Sequence, residues 1–274
     1  MDAAIPFLLP AGCVIAAWWA GTSIILRLDR MPARTFARSL FVGGAIAATG
    51  LAAIAASAPH VTPMAAYAGF LGALAVWAWV EMAFLTGAVV GPRRGPCPPA
   101  RGWARFVYAV EAILYHEIAL LIAFGLVAAA SWAGPNRVAL WTFAVLWVMR
   151  LCAKLNIHFG VPNSGEELLP PRLRYLGSYF QRGPFTVVYP ATVGMAVLVA
   201  MPLWQMALAH GGEGFDGVQA TIVATLLSLA IAEHLFMVLP ISQTALWKWG
   251  LKGDEPGGRE SVTPAVQQGK GSGT

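Results

Sequence analysis

The sequence predicts an all-α, polytopic membrane bundle of about seven transmembrane helices, with the N-terminus outside and the C-terminus cytoplasmic. Three observations carry this. Of 274 residues, 58% are hydrophobic and only 11% charged, against about a quarter charged in soluble domains. Several apolar runs reach the roughly 20 residues that cross about 30 Å of hydrocarbon. The basic residues fall almost entirely into alternate connections, which is the signal that sets orientation.

The spans follow in order. Ile5 to Leu26 is the first, closed by Arg27, Asp29, Arg30 and Arg34. It is read as a retained span, because Asp2 and no Lys or Arg precedes it, unlike a secretory signal. Phe36 to Ala56 forms the second and Met64 to Val90 the third. The Gly/Pro-rich stretch Gly91 to Pro99 then forbids regular helix. Arg105 to Ala130 is the fourth span, and Val138 to about Leu155 the fifth. Thr186 to Leu208 is the sixth, interrupted by Pro190 and Pro202, and Val218 to Leu239 the seventh. Residues 1–249 thus make a single bundle domain, and 250–274, rich in Gly, Ser, Gln and charge, a disordered cytoplasmic tail.

The longest connection, Asn156 to Pro184, is patterned. Asn163-Ser164 ahead of Glu166 and Glu167 resembles a helix start. Leu173, Leu176 and Phe180 share a side at α-helical spacing, leaving Arg172, Arg174 and Arg182 for phosphates. A short amphipathic helix on the membrane surface fits this pattern, as does a loop helix packed on the bundle.

Arg27, Arg30, Arg34 and Arg38 lie in the first connection, and Arg93, Arg94, Arg101 and Arg105 in the third. Arg150, Lys154, Arg172, Arg174 and Arg182 flank or occupy the fifth, and the tail adds Lys248, Lys252, Arg259 and Lys270. On the other side stands Arg137. The net charge of +5 is therefore topological, and no nucleic-acid module accompanies it. Cys13, Cys97 and Cys152 have neither CxxC spacing nor the number that a disulfide framework needs.

Ionisable residues inside the spans are the candidates for function, because each costs roughly 2.5–3.5 kcal/mol at a helix centre unless paired. Glu81, His116, Glu117, Arg150, Glu233 and His234 all fall about 9–17 Å from the basic ends, by rise per residue. If they converge, they form one polar layer across four helices. The layer has several readings. In one, Arg150 pairs with glutamates and the histidines hydrogen-bond between helices, fixing register without chemistry. In another, Glu81, His116, Glu117, Glu233 and His234 hold a transition metal, although the Glu-x-x-His of di-iron bundles is missing and the adjacent pairs diverge by about 100°. In a third, His116, His234 or both ligate a tetrapyrrole. The P-loop, GxGxxG, GxSxG and HExxH signatures do not occur. Of the eleven tryptophans, Trp77, Trp79 and Trp147 lie deepest and are candidates for a pocket wall.

Several long words carry a family resemblance: Glu81-Met-Ala-Phe-Leu-Thr-Gly87, Gly91-Pro-Arg-Arg94, Tyr115-His-Glu117, Ala153-Lys-Leu-Asn156, Gly160-Val-Pro-Asn163, Glu167-Leu-Leu-Pro-Pro171 and Glu233-His234. From Trp18 to Trp249 the chain resembles the PuhE type, the photosynthetic complex assembly protein 2 family of purple phototrophic bacteria. The resemblance implies a multi-pass protein of the bacterial inner, or intracytoplasmic, membrane. It would be needed for assembling the photosynthetic apparatus or controlling bacteriochlorophyll supply. Its partners would be the bilayer and reaction-centre subunits, light-harvesting subunits or pigment-synthesis proteins. The resemblance brings no catalytic residues. Position 80 is Val80 where such sequences can carry His, so no histidine precedes the third-span glutamate. The functional classes that stand are a non-enzymatic assembly factor, a pigment-delivery protein, a membrane metalloenzyme, and a proton-coupled transporter; the last lacks convincing paired repeats.

Overall fold

The computed structural model describes residues 5–239; the expected disordered tail lies outside the described residues. Seven helices make the fold: α1 (Ile5–Leu28), α2 (Phe36–Ser57), α3 (Pro63–Leu85), α4 (Gly102–Ala130), α5 (Val138–Phe159), α6 (Val188–Ala209) and α7 (Gly214–Phe236). All seven are long and apolar enough to cross a membrane, and among the described residues there is no strand. They are apolar on nearly every side, the mark of helices that face hydrocarbon or one another.

Burial ranks them. The most apolar stretches of α3 and α7 are 61% and 56% buried, against 17% for those of α1, α2 and α6. The first pair is therefore the axis of the bundle, and the others form its rim. One core layer joins α2, α3, α4 and α5 through Ile54, Val76, Trp77, Leu120, Val127 and Phe143. A second joins α1, α3, α5 and α7 through Val14, Phe70, Val138, Ile222 and Leu226. Between α2 and α3 the backbones come so close that a Cβ on Gly50 would lie 2.8 Å from the Gly72 carbonyl oxygen, and one on Gly72 2.7 Å from that of Gly50. Small residues permit this approach, which drives helix packing where lipid removes the hydrophobic incentive.

At the end poor in basic residues, Thr62 caps α3 by accepting from the Ala65 amide at 3.2 Å, with Pro63 in the first turn. Asn136 ties three segments there. Its Nδ2 donates to the Ser57 and Ala65 carbonyls at 3.2 and 2.8 Å, and its Oδ1 accepts from Val138 N at 3.1 Å. Such groups must be satisfied internally at membrane depth.

The basic end departs from the sequence reading. α3 stops at Leu85 instead of reaching Val90, because Gly87 turns the chain at φ +77°. Val90 and Gly91 then fold back against α4, where the His116 amide donates to the Val90 carbonyl at 3.0 Å. A Cβ on Gly91 would run into the Glu111 carbonyl oxygen and the Ala112 carbonyl group. α5 runs on to Phe159, one turn past the expected end, and α7 stops at Phe236.

The 156–184 connection packs on the bundle as a cap. Beyond Phe159, where α5 ends, it contains no α-helix, only 3₁₀ turns at Glu166–Leu168 and Pro171–Tyr179. With three residues per turn, Leu173, Leu176 and Tyr179 face inward, and the expected inward residue Phe180 is only partly buried. Ser164 gives no side-chain cap, since Gly165 begins the first turn in a left-handed conformation. Arg172 is not free for phosphate. It donates to the Thr86 and Asp29 carbonyls and stacks 3.9 Å over the Phe36 ring. Arg182 pairs with Glu166 at 2.5 Å, and Arg174 is exposed.

Candidate functional site

The polar layer is built from helix faces. On α3, Trp77, Glu81 and Phe84 are spaced i−4, i, i+3 and are all buried, so they share one face. On α4 the buried stripe runs Ala112, His116, Leu120, Ala123 and Val127. His116 thereby meets α3. Its ring packs at a tilt against Phe84 with centroids 4.3 Å apart, and its Nε2 lies 3.7 Å from Glu81 Oε1. Glu117, 100° further round, addresses α5 instead. On α5, Trp147, Arg150 and Lys154 share a face at i, i+3 and i+7. Lys154 Nζ donates to Glu117 Oε1 at 2.5 Å and Trp147 Nε1 donates to Glu117 Oε2 at 3.4 Å. Arg150 Nε stands 3.9 Å from Glu81 Oε1.

The expected layer is thus brought together in part. Glu81, His116 and Arg150 converge across α3, α4 and α5. Glu117 lies alongside but is committed to Lys154. On α7, Glu233 accepts from Trp18 Nε1 of α1 at 2.7 Å, while His234 turns back on its own helix, Nδ1 against the Ala230 carbonyl at 2.8 Å. Glu111, nearer the surface, is held by Arg93 at 2.7 Å.

Charge is balanced on the α3–α4–α5 side, with two glutamates against Arg150 and Lys154. Bonding there is uneven. The Glu117–Lys154 pair is close and largely covered, at 21% and 17% side-chain exposure. The Glu81 contacts with His116 and Arg150 exceed hydrogen-bond length. Glu81 Oε1 and both His116 ring nitrogens are buried without a hydrogen bond. Polar atoms separated by such gaps are commonly bridged by water when two to four partners converge.

Among the described residues, no group of three His, Cys, Asp or Glu side chains gathers as a metal-ligand set. The Lys154 ammonium occupies Glu117, and Glu233 and His234 point to different partners. His116 and His234 are enclosed by protein, so neither imidazole presents an open face to a flat macrocycle in this conformation. The three deep tryptophans serve different contacts. Trp77 packs edge-on to Phe143, Trp147 lies against Phe124, and Trp79 donates to the Leu40 carbonyl.

Two residues of the site were not anticipated. Lys154 reads as a loop charge only if the fifth span ends at Leu155. The apolar continuation through Ile157 and Phe159, with the Trp147–Arg150–Lys154 spacing, is the signal that places it inside. Trp18 has no comparable sequence signal, since any interfacial tryptophan reads the same way.

Fold and site together define a multi-pass, all-helical membrane protein with ion pairs set between its central helices. The chain belongs to the family described as Protein of unknown function (DUF3623), whose profile matches residues 4–257. It is similar to a Rhodobacter capsulatus protein described as an uncharacterized 30.4 kDa protein in the puhA 5′ region, at 36% identity over 248 residues, 89% of this chain and 90% of the relative. No solved structure matches.

Proposed function

We propose that this chain is an inner-membrane assembly factor for the bacterial photosynthetic reaction-centre and light-harvesting apparatus, acting on its subunits or on bacteriochlorophyll supply. The observation that carries the reading is the relative, matched over 90% of its length, that is described by its place in the puhA 5′ region. The resemblance of the Glu81–Gly87, Tyr115–Glu117 and Ala153–Asn156 words to PuhE-type proteins supports it.

In this reading the polar layer is architectural. Pairing Glu117 with Lys154 and setting Glu81 between His116 and Arg150 fixes the register of α3, α4 and α5, because any slip strands a charge in hydrocarbon. The basic end is cytoplasmic, by the arginine distribution, and the cap built from 156–184 is the surface offered to partner subunits or pigment-synthesis proteins.

The test is a clean deletion in a phototrophic host that encodes the protein, complemented in trans. Reaction-centre and antenna absorption, measured per cell against transcript levels, should fall while transcripts hold. Total bacteriochlorophyll in the same cells separates pigment supply from subunit assembly. Unchanged complex levels in the deletion strain would end the proposal.

A further inference from the structure

We propose that the basic half of the bundle holds a water-filled crevice that opens at the basic end, reaches inward to Glu81 and His116, and is sealed from the other side of the membrane. Burial along two core stripes carries the inference. On α5, Ala139, Phe143, Leu146 and Arg150 follow at intervals of four, three and four residues and so share one face. The first three belong to or pack against the core layer shared with α2, α3 and α4. Ala139 and Phe143 are buried and Leu146 half-buried, but Arg150, nearest the basic end, has 44% of its side chain exposed. On α7 the same intervals place Ile222, Leu226, Leu229 and Glu233 on one face. Ile222 and Leu226 are buried in the core, Leu229 is half-buried and Glu233 exposed. Core-facing side chains thus become accessible on both helices as they approach the basic end.

Water, and not lipid, fits what Arg150 faces. The exposed apolar side chains of α5, Trp141, Val148, Leu151 and Phe159, centre about 150° round the helix from it. Arg150 also lies about 13 Å inside the basic end of α5 at Phe159. At that depth a guanidinium facing hydrocarbon is costly, whereas one lining a water-filled cavity is not. Arg150 Nε stands 3.9 Å from Glu81 Oε1, and that oxygen 3.7 Å from His116 Nε2. Water beside the guanidinium is therefore placed to bond the Glu81 and His116 atoms that no described residue bonds. Beyond them the core closes. His116, Leu120 and Val127 of α4 are fully buried, and Val14, Phe70, Val138, Ile222 and Leu226 pack as one apolar layer across α1, α3, α5 and α7. The crevice is accordingly a half-channel, which hydrates the polar layer from one side and carries nothing across.

The test is cysteine accessibility in sealed membrane vesicles that carry the full-length protein with Cys13, Cys97 and Cys152 replaced by alanine. Arg150→Cys, combined with Glu81→Gln to keep the charges balanced, and Glu233→Cys probe the crevice. Leu226→Cys probes the sealed layer and Val148→Cys the lipid face. Arg174→Cys, on the exposed surface of the cap, marks the basic side whichever way the protein is oriented. The charged, membrane-impermeant reagent methanethiosulfonate-ethyltrimethylammonium is added to one side at a time. The Arg150→Cys and Glu233→Cys thiols should react from the side that labels Arg174→Cys, at least about tenfold faster than those of Leu226→Cys and Val148→Cys, because a thiol in apolar surroundings is scarcely ionised. If Arg150→Cys does not elute as a folded species, Leu229→Cys, one turn further in than Glu233 on the same stripe, takes its place. Labelling at these positions no faster than at Val148→Cys, or by membrane-permeant N-ethylmaleimide alone, would overturn the crevice. Labelling from the side opposite to Arg174→Cys would overturn the seal.

Discussion

At the scale of single residues, the two glutamates near the bundle centre are unequal. Glu117 has a 2.5 Å partner in Lys154, whereas the nearest cationic or imidazole atoms to Glu81 stand at 3.7 and 3.9 Å. Removing one member of a covered ion pair costs about 3–5 kcal/mol because the other charge is stranded, while replacing both by apolar groups is often neutral. Lys154→Met should therefore lower the thermal unfolding midpoint in detergent clearly, and Glu117→Met/Lys154→Met should recover most of the loss. A double variant no more stable than the single one would show that the pair has a role beyond charge balance. Gly91 makes a second, independent case. Its missing side chain lets the Val90 carbonyl reach the His116 amide. Gly91→Ala should destabilise by about 1–3 kcal/mol, the usual cost of overpacking, visible as a lower melting midpoint. An unchanged midpoint would mean that the loop moves aside freely.

At the scale of elements, the cap shows where sequence patterning fails. Leu173, Leu176 and a third residue facing inward are legible as a repeat, but α-helical and 3₁₀ periods diverge by the third position. The choice between Phe180 and Tyr179 therefore depends on the backbone geometry of the turn that opens at Pro170-Pro171. Tyr179 donates its hydroxyl to the Gly95 carbonyl at 2.8 Å, and burial raises its pKa, as it does that of Tyr175. A phenol whose folded pKa exceeds its unfolded value, about 10, stabilises the cap fully below that value and loses the contribution as pH rises through the folded one. The cap should thus loosen above about pH 10, read as faster proteolysis within 160–185, and Tyr179→Phe should blunt that dependence. Leu173→Ala, in the cluster with Phe84, Val90 and Ala112, should cost about 2–5 kcal/mol of cap stability and expose the same segment at neutral pH in hydrogen exchange.

At the scale of the whole molecule, the sequence reading and the structure agree on seven helices, because length and hydropathy are local properties. The reading also expected Glu81, His116 and Arg150 to share a depth, and they meet. It separated His116 from Glu117 by about 100°, but it could not place Lys154 or say which helix each of the two would face, since helix rotation depends on which neighbours pack and no residue announces its neighbour. Nor does composition reveal that α3 and α7 form the axis; that follows from their burial, which exceeds that of the other five helices. Orientation is the whole-molecule property still carried by the arginine distribution alone. Reporter fusions after Pro59, Asn136 and Gly211 should report an extracytoplasmic position, and fusions after Arg30, Gly95 and Gly183 a cytoplasmic one, because the second group follows the loops rich in arginine. Neutralising Arg27, Arg34 and Arg38 together should weaken that bias at the first pair of spans while leaving later spans in place, since Arg93, Arg94, Arg101 and Arg105 anchor the third connection independently. A fusion pattern inverted along the whole chain would move the cap to the opposite side, away from cytoplasmic partners, and the assembly role assigned to the cap would have to be abandoned.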